Sequence, residues 1–95
     1  MLNNKNIFIS GATGSFGRRF IELICKRFKP KKIIIYSRDE LKQSDLQKNY
    51  VGKQYNCLRY FIGDVRDFSR LNFAMKDVDY VIHAAALKHV DVAEY

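Results

Sequence analysis

A glycine triplet set between two hydrophobic patterns of different period is the strongest constraint on this 95-residue chain. Ile7-Phe8-Ile9 is a short apolar run of the length expected for a buried parallel strand. Gly11, Gly14 and Gly17 follow at G-x-x-G-x-x-G spacing. Phe16, Phe20, Ile24 and Phe28 then recur every four residues with Ile21 beside them. That spacing predicts an amphipathic helix whose stripe faces inward.

Strand, glycine turn and helix in this order form the phosphate-binding opening of a dinucleotide-binding unit. Gly11 lets the chain reverse at the strand end. Gly14 lacks the side chain that would hold a pyrophosphate off the backbone, and Gly17 lets the first helical turn lie against the sheet. The helix amides and positive dipole end then face the phosphates, and Ser15 can add a hydroxyl. No Lys-Ser/Thr pair follows Gly17, which disfavours a nucleoside-triphosphate loop.

The strand-then-helix rhythm continues. Lys32-Ile-Ile-Ile-Tyr36 predicts a second strand buried on both faces. Ser37-Arg-Asp-Glu40 has the spacing of a capping box, with Ser37 as N-cap of a helix running to about Asn49 on a thin apolar face of Leu41 and Leu46. Leu58–Ile62 predicts a third strand, and Asp67 a cap for a short helix turning Leu71, Ala74 and Met75 inward. Asp79–His83 predicts a fourth strand. The fold class is α/β: a Rossmann-type doubly wound parallel sheet, four strands in the order 3-2-1-4, with strands one and four meeting at the switch point. Four strands are an incomplete domain, so residues 1–95 are expected to be its N-terminal part.

Composition removes other classes. A hydrophobic fraction of 47% with one proline argues for a packed core. No apolar run approaches a membrane span, and Met1–Asn6 is too short for a signal peptide. The net charge of +7 concentrates in Lys26, Arg27, Lys29, Lys31 and Lys32. These lie at the helix end remote from the glycine loop, where cations suit the dipole, so neither nucleic acid nor membrane is the expected partner. Cys25 and Cys57, without a partner histidine, do not make a metal site, and a reduced cytoplasmic protein is expected.

Ligands in such sheets sit beyond the carboxyl ends of the strands. Strand two ends in Ser37-Arg38 rather than an acid, a hydroxyl and a cation suited to a 2′-phosphate. NADP is therefore favoured, while Asp39 keeps NAD open. Asp64-Val65 can flank an adenine, Asp64 accepting from its amine; the alternative is that Asp64 only closes the turn after Gly63. Ala84, Ala85 and Ala86 are small enough to admit a cofactor or to pack beneath a helix. His83 reads as a packed strand-end histidine, and Lys88 either reaches an anionic substrate or is a solvated loop residue.

Ser-Gly-Ala-Thr-Gly-Ser-Phe-Gly (10–17), Ile-Ile-Ile-Tyr-Ser-Arg-Asp-Glu-Leu-Lys-Gln (33–43), Arg-Tyr-Phe-Ile-Gly-Asp-Val-Arg-Asp (59–67) and Val-Ile-His-Ala-Ala-Ala-Leu-Lys-His-Val (81–90) together resemble one family. It is the inverting UDP-N-acetylglucosamine 4,6-dehydratases, extended short-chain dehydrogenase/reductases of polysaccharide and pseudaminic acid biosynthesis. The resemblance implies NADP contacts from Thr13, Gly14, Ser15 and Phe16 at the pyrophosphate. It also implies contacts from Ser37, Arg38, Asp39, Glu40, Leu41 and Lys42 around the 2′-phosphate, from Asp64-Val65 at adenine, and from Ala84. Lys88 would touch the nucleotide-sugar substrate. The implied reaction oxidises sugar C4, expels water across C5 and C6, and returns the hydride to C6 with inversion at C5. The family's Thr-Asp-Lys and Tyr-x-x-x-Lys catalytic elements lie beyond Tyr95, so no catalytic residue is named in this chain. Its members form homo-oligomers. Asp91 departs from the family's usual proline. The alternatives are another nucleotide-sugar epimerase or reductase of the same superfamily, or a non-catalytic nucleotide-binding regulatory protein.

Overall fold

A computed structural model describes residues 1–84. Four strands, β1 (Asn6–Ser10), β2 (Lys32–Ser37), β3 (Leu58–Ile62) and β4 (Tyr80–His83), form one parallel sheet in the order β3-β2-β1-β4. Three helices connect them: α1 (Ser15–Arg27), α2 (Glu40–Asn49) and α3 (Phe68–Ala74). This is the expected doubly wound order, with β1 and β4 adjacent at the switch point.

Alternation along the strands divides the core into two layers. Ile7 and Ile9 of β1 stand level with Ile33 and Ile35 of β2, all four fully buried on the face that receives α1 and α2 through Ile21, Ile24 and Leu46. Phe8, Ile34 and Tyr36 point the other way and pack on Ala74 of α3. Burying side chains of this size stabilises the fold by roughly 1.5–3 kcal/mol each before chain entropy is counted.

The inward face of α1 differs from the four-residue stripe. Gly17, Ile21, Ile24 and Cys25 are buried, Phe16 is 46% exposed, and Phe28 lies past the helix end as its cap residue. Close approach at Gly17 sets this rotation. A Cβ there would lie 2.6 Å from the Gly11 carbonyl oxygen and nearer still to Ala12, so only glycine lets the first turn seat on the loop.

The start of α2 is also corrected. β2 continues through Ser37, which pairs with Ile62, so Ser37 cannot cap. Asp39 is the N-cap instead, its Oδ1 accepting from the Lys42 amide at 2.9 Å. The inward residues of α2 are Gln43 and Leu46, whereas Leu41 is 82% exposed. Asp67 caps α3 as expected, accepting from the Arg70 amide. A single 3-10 turn, Lys53–Tyr55, follows Gly52, whose φ of 115° requires glycine; no periodicity in the sequence marks that turn.

Candidate functional site

The carboxyl ends of the strands open onto one cleft of about 490 Å³. Ser10 and Gly11 leave β1 there, Ser37 and Arg38 leave β2, Gly63, Asp64 and Val65 leave β3, and His83 ends β4. Segments far apart in sequence thus converge where an open α/β sheet holds its ligand.

The glycine loop is built from β1 outward. Gly11 has φ 76°, the left-handed value that turns the chain, and its carbonyl accepts from the Gly14 amide at 3.4 Å. Gly14 is the N-cap of α1, with extended backbone and no side-chain cap, so the first-turn amides have no side-chain acceptor. Ser15 and Phe16 lie exposed on that turn. A Cβ on Gly14 would meet only the Gly11 oxygen at 3.8 Å, an ordinary contact, and its φ is −80°. Packing therefore requires glycine at 17 and backbone conformation requires it at 11, but neither requires it at 14. The backbone at Gly14 is therefore open to close approach by a ligand.

Arg18, which is not among the residues expected from the sequence, holds the loop in place. Its Nε donates to the Thr13 carbonyl at 3.2 Å, and its Nη2 pairs with Asp45 of α2 at 3.1 Å. The signal was a cation one residue after the last glycine, close enough in sequence to fold back on the loop.

On the opposite lip, Asp64 organises the charges. Its carboxylate accepts from the Arg66 backbone amide (2.9 Å), Nε (3.1 Å) and Nη2 (2.8 Å), while Arg38 Nη1 stands 3.6 Å away. The hydrogen bonds from Arg66, aided by both positive charges, hold the Asp64 carboxyl well below the usual carboxylate range. Asp64 therefore closes the turn after Gly63, one of the two roles read from sequence. Arg66 was not among the candidates, because a single loop arginine carries no periodic or motif signal.

The lip is supported from below. Tyr36 is 1% exposed, and its hydroxyl donates to the Asp64 carbonyl at 2.9 Å. A Cβ on Gly63 would fall 2.6 Å from Tyr36 Cζ, so this glycine makes room for the ring. Gln43 reaches in from α2, its Nε2 donating at 2.8 Å to both Ser37 Oγ and the Phe61 carbonyl.

The remaining candidates divide. Glu40, Leu41 and Lys42 are exposed on the first turn of α2 and do not line the cleft. Ala84 is 1% exposed in the core cluster with Ile7 and Ile21. His83 is exposed rather than packed, and its Nδ1 hydrogen-bonds the Oγ of Ser10, its register partner on β1. Lys88, with Ala85, Ala86 and His89, lies outside the described residues. Among the described residues no three His, Cys, Asp or Glu side chains gather as a metal site, and no helix is long and apolar enough to cross a membrane.

A parallel 3-2-1-4 sheet with a glycine loop at its switch point defines a Rossmann-type α/β protein. A short-chain dehydrogenase/reductase from Veillonella parvula shares this fold at TM-score 0.64 and 16% identity, over 84% of this chain and 34% of its own. The profile of the polysaccharide biosynthesis protein family matches residues 7–95, and the chain belongs to that family. It is 60% identical over all 95 residues to a UDP-N-acetylglucosamine 4,6-dehydratase (inverting) of Campylobacter jejuni subsp. jejuni (serotype O:23/36, strain 81-176). It is 43% identical to a UDP-glucose 4-epimerase of Rickettsia bellii (strain OSU 85-389), again over the whole chain. Among solved structures, Pen from Bacillus thuringiensis matches the whole chain at TM-score 0.82 and 39% identity. The chain spans 28% of the length of each of these three relatives.

Proposed function

We propose that this chain is the NADP-binding part of an inverting UDP-N-acetylglucosamine 4,6-dehydratase, a lyase that yields a UDP-4-keto-6-deoxy sugar with inversion at C5. The observation that carries the reading is the 60% identity to such an enzyme over every residue of the chain. Residues 1–95 would form the N-terminal part of its Rossmann domain, with the catalytic and remaining substrate groups elsewhere in the protein. The protein would act in the cytoplasm as a homo-oligomer and feed pseudaminic acid synthesis.

The chain's own groups fit the cofactor. The unhindered backbone at Gly14 and the first-turn amides after it suit a pyrophosphate, with Thr13, Ser15 and Phe16 around it and Gly11 and Gly17 shaping the loop. The exposed guanidinium of Arg38 suits a 2′-phosphate, helped by Ser37 and by Lys42 on the next helical turn. Asp39, the residue that would favour NAD, already accepts a backbone amide as N-cap. Glu40 and Leu41 would border the adenosine, Val65 would cover the adenine, and Ala84 would pack behind the loop. Bound NADP would supply hydride uptake and return, and the protein would orient the sugar against it. Lys88 would contact the nucleotide sugar.

The test is to purify the complete protein, identify the nucleotide released on denaturation, and incubate the enzyme with UDP-N-acetylglucosamine in deuterated water. The expected result is NADP, loss of one water from the sugar and one deuterium at an inverted C5. A second reading, a 4-epimerase, has the 43% identical relative in its favour; it would give an isomer of unchanged mass. Release of nucleotide with neither product would leave a non-catalytic binding protein.

A further inference from the structure

At the end of the sheet away from the glycine loop, Cys25 of α1 and Cys57, the residue before β3, bring their sulfurs to 4.0 Å. Both are free thiols. They share the wall of a depression of about 540 Å³, which Lys29, Lys31 and Lys53 also line. No carboxylate is among the described residues that line it. We infer that this pair is a thiol–disulfide exchange site for small disulfides bearing carboxylates, with Cys57 as the attacking sulfur and Cys25 as the resolving one.

The two cysteines are not equivalent. Cys25 is 8% exposed and packs in the core with Ile21 and Leu58, whereas Cys57 is half-buried at the rim. Within the pair the hydrogen bond from Cys25 favours the Cys57 thiolate, and the Arg59 charge adds to that. That hydrogen bond and burial hold Cys25 as the neutral thiol. Cys57 is thus the sulfur that ionises and can be reached, the two conditions for a thiol nucleophile. Its other contact is weak, a 3.9 Å approach to the Gln54 carbonyl, and ionisation gives up little there.

The exchange balances with a disulfide RSSR as oxidant. The Cys57 thiolate attacks one sulfur of RSSR, forming a mixed disulfide and expelling RS⁻. Cys25 then loses its proton to that thiolate or to water, and its sulfur attacks the Cys57 sulfur. A second RS⁻ leaves, so two protein thiols become one disulfide and RSSR becomes two RSH. The sulfurs close from 4.0 Å to the ~2.05 Å of a bond. Backbone at both sides is already pinned: the Cys57 carbonyl accepts from Ile33, and the Lys29 carbonyl just past α1 accepts from Asn4.

The experiment treats the complete, natively folded protein with glutathione disulfide and maps its peptides by mass spectrometry. The expected product is a Cys25–Cys57 disulfide, two hydrogens lighter. Cys25→Ser should stop at the mixed disulfide on Cys57, and Cys57→Ser should leave Cys25 unmodified. Glutathione on Cys25 of Cys57→Ser as fast as on Cys57 of Cys25→Ser would overturn the assignment. So would a wild-type protein in which both thiols stay free while other exposed cysteines react. Should either variant fail to fold, limiting iodoacetamide on the wild-type protein decides the order. Cys57 should be alkylated on the order of tenfold faster than Cys25, and equal rates count against the proposal.

Discussion

The guanidinium of Arg38 lies 3.6 Å from the carboxylate of Asp64, joining the loop that follows β2 to the loop that follows β3 across the mouth of the cleft. The Arg38 side chain is 72% exposed, so the pair adds little to stability and does not lock the arginine in place. Arg66 makes the shorter contacts to Asp64, which leaves Arg38 able to turn toward an incoming anion without stranding the carboxylate.

Arg38→Ala in the complete protein should therefore weaken NADP far more than NAD. Loss of a charge-assisted contact predicts roughly 1.5–3 kcal/mol for NADP and little for NAD. Calorimetric titration of both cofactors measures the difference, and equal losses would remove Arg38 from the 2′-phosphate.

Two glycines should respond in opposite ways. Gly17→Ala places a methyl group against Ala12 and the Gly11 carbonyl, and should cost about 1–3 kcal/mol or more in a melting or denaturant experiment. Gly14→Ala has room and should melt like the parent, while nucleotide affinity falls. If Gly14→Ala binds normally, the nucleotide does not approach the backbone at that residue.

Acid should release the Asp64 turn only at low pH. Because the folded carboxyl lies below its unfolded value, its contribution is present above about pH 3.9 and is lost as pH falls through the lower folded value. The Arg66 Nε–H resonance should stay fixed from neutrality to about pH 4 and shift below it. Asp64→Asn should give the shifted resonance at every pH. Movement of the wild-type resonance near neutrality would contradict the pairing.

Tyr36→Phe keeps the buried ring and deletes only the bond to the Asp64 carbonyl. Stability should fall by about 1 kcal/mol. Amide exchange in the Gly63–Arg66 turn should quicken while that in β1 does not.

The strands were legible because β-branched runs such as Ile33-Ile34-Ile35 admit few other environments, and the sheet order followed from chain direction. Helix rotation was less so. The aromatic repeat of α1 suggested one stripe, but contact at Gly17 turned the helix so that Cys25, not Phe28, faces the core. The cap of α2 moved from Ser37 to Asp39 because strand pairing with Ile62 outcompeted a local hydrogen bond. On the cleft, Ser37, Arg38 and Asp64 could be placed from their position at or just past a strand end. Arg18 and Arg66 could not, since their roles depend on carbonyls and carboxylates that only tertiary structure brings near. The Cys25–Cys57 pair was hidden for the same reason, its members lying 32 residues apart.

β1 lies between β2 and β4, and every one of its five residues is buried. The glycine loop therefore grows from the strand with the fewest ways to open, while β3, at one edge of the described sheet, carries the Asp64 lip. Local opening at that edge can loosen the lip without disturbing the loop. In hydrogen exchange the two walls of the cleft would then belong to different cooperative units, one following global unfolding and one following edge fraying. A ligand spanning both would slow exchange at the β3 edge most, because that wall has the most protection left to gain.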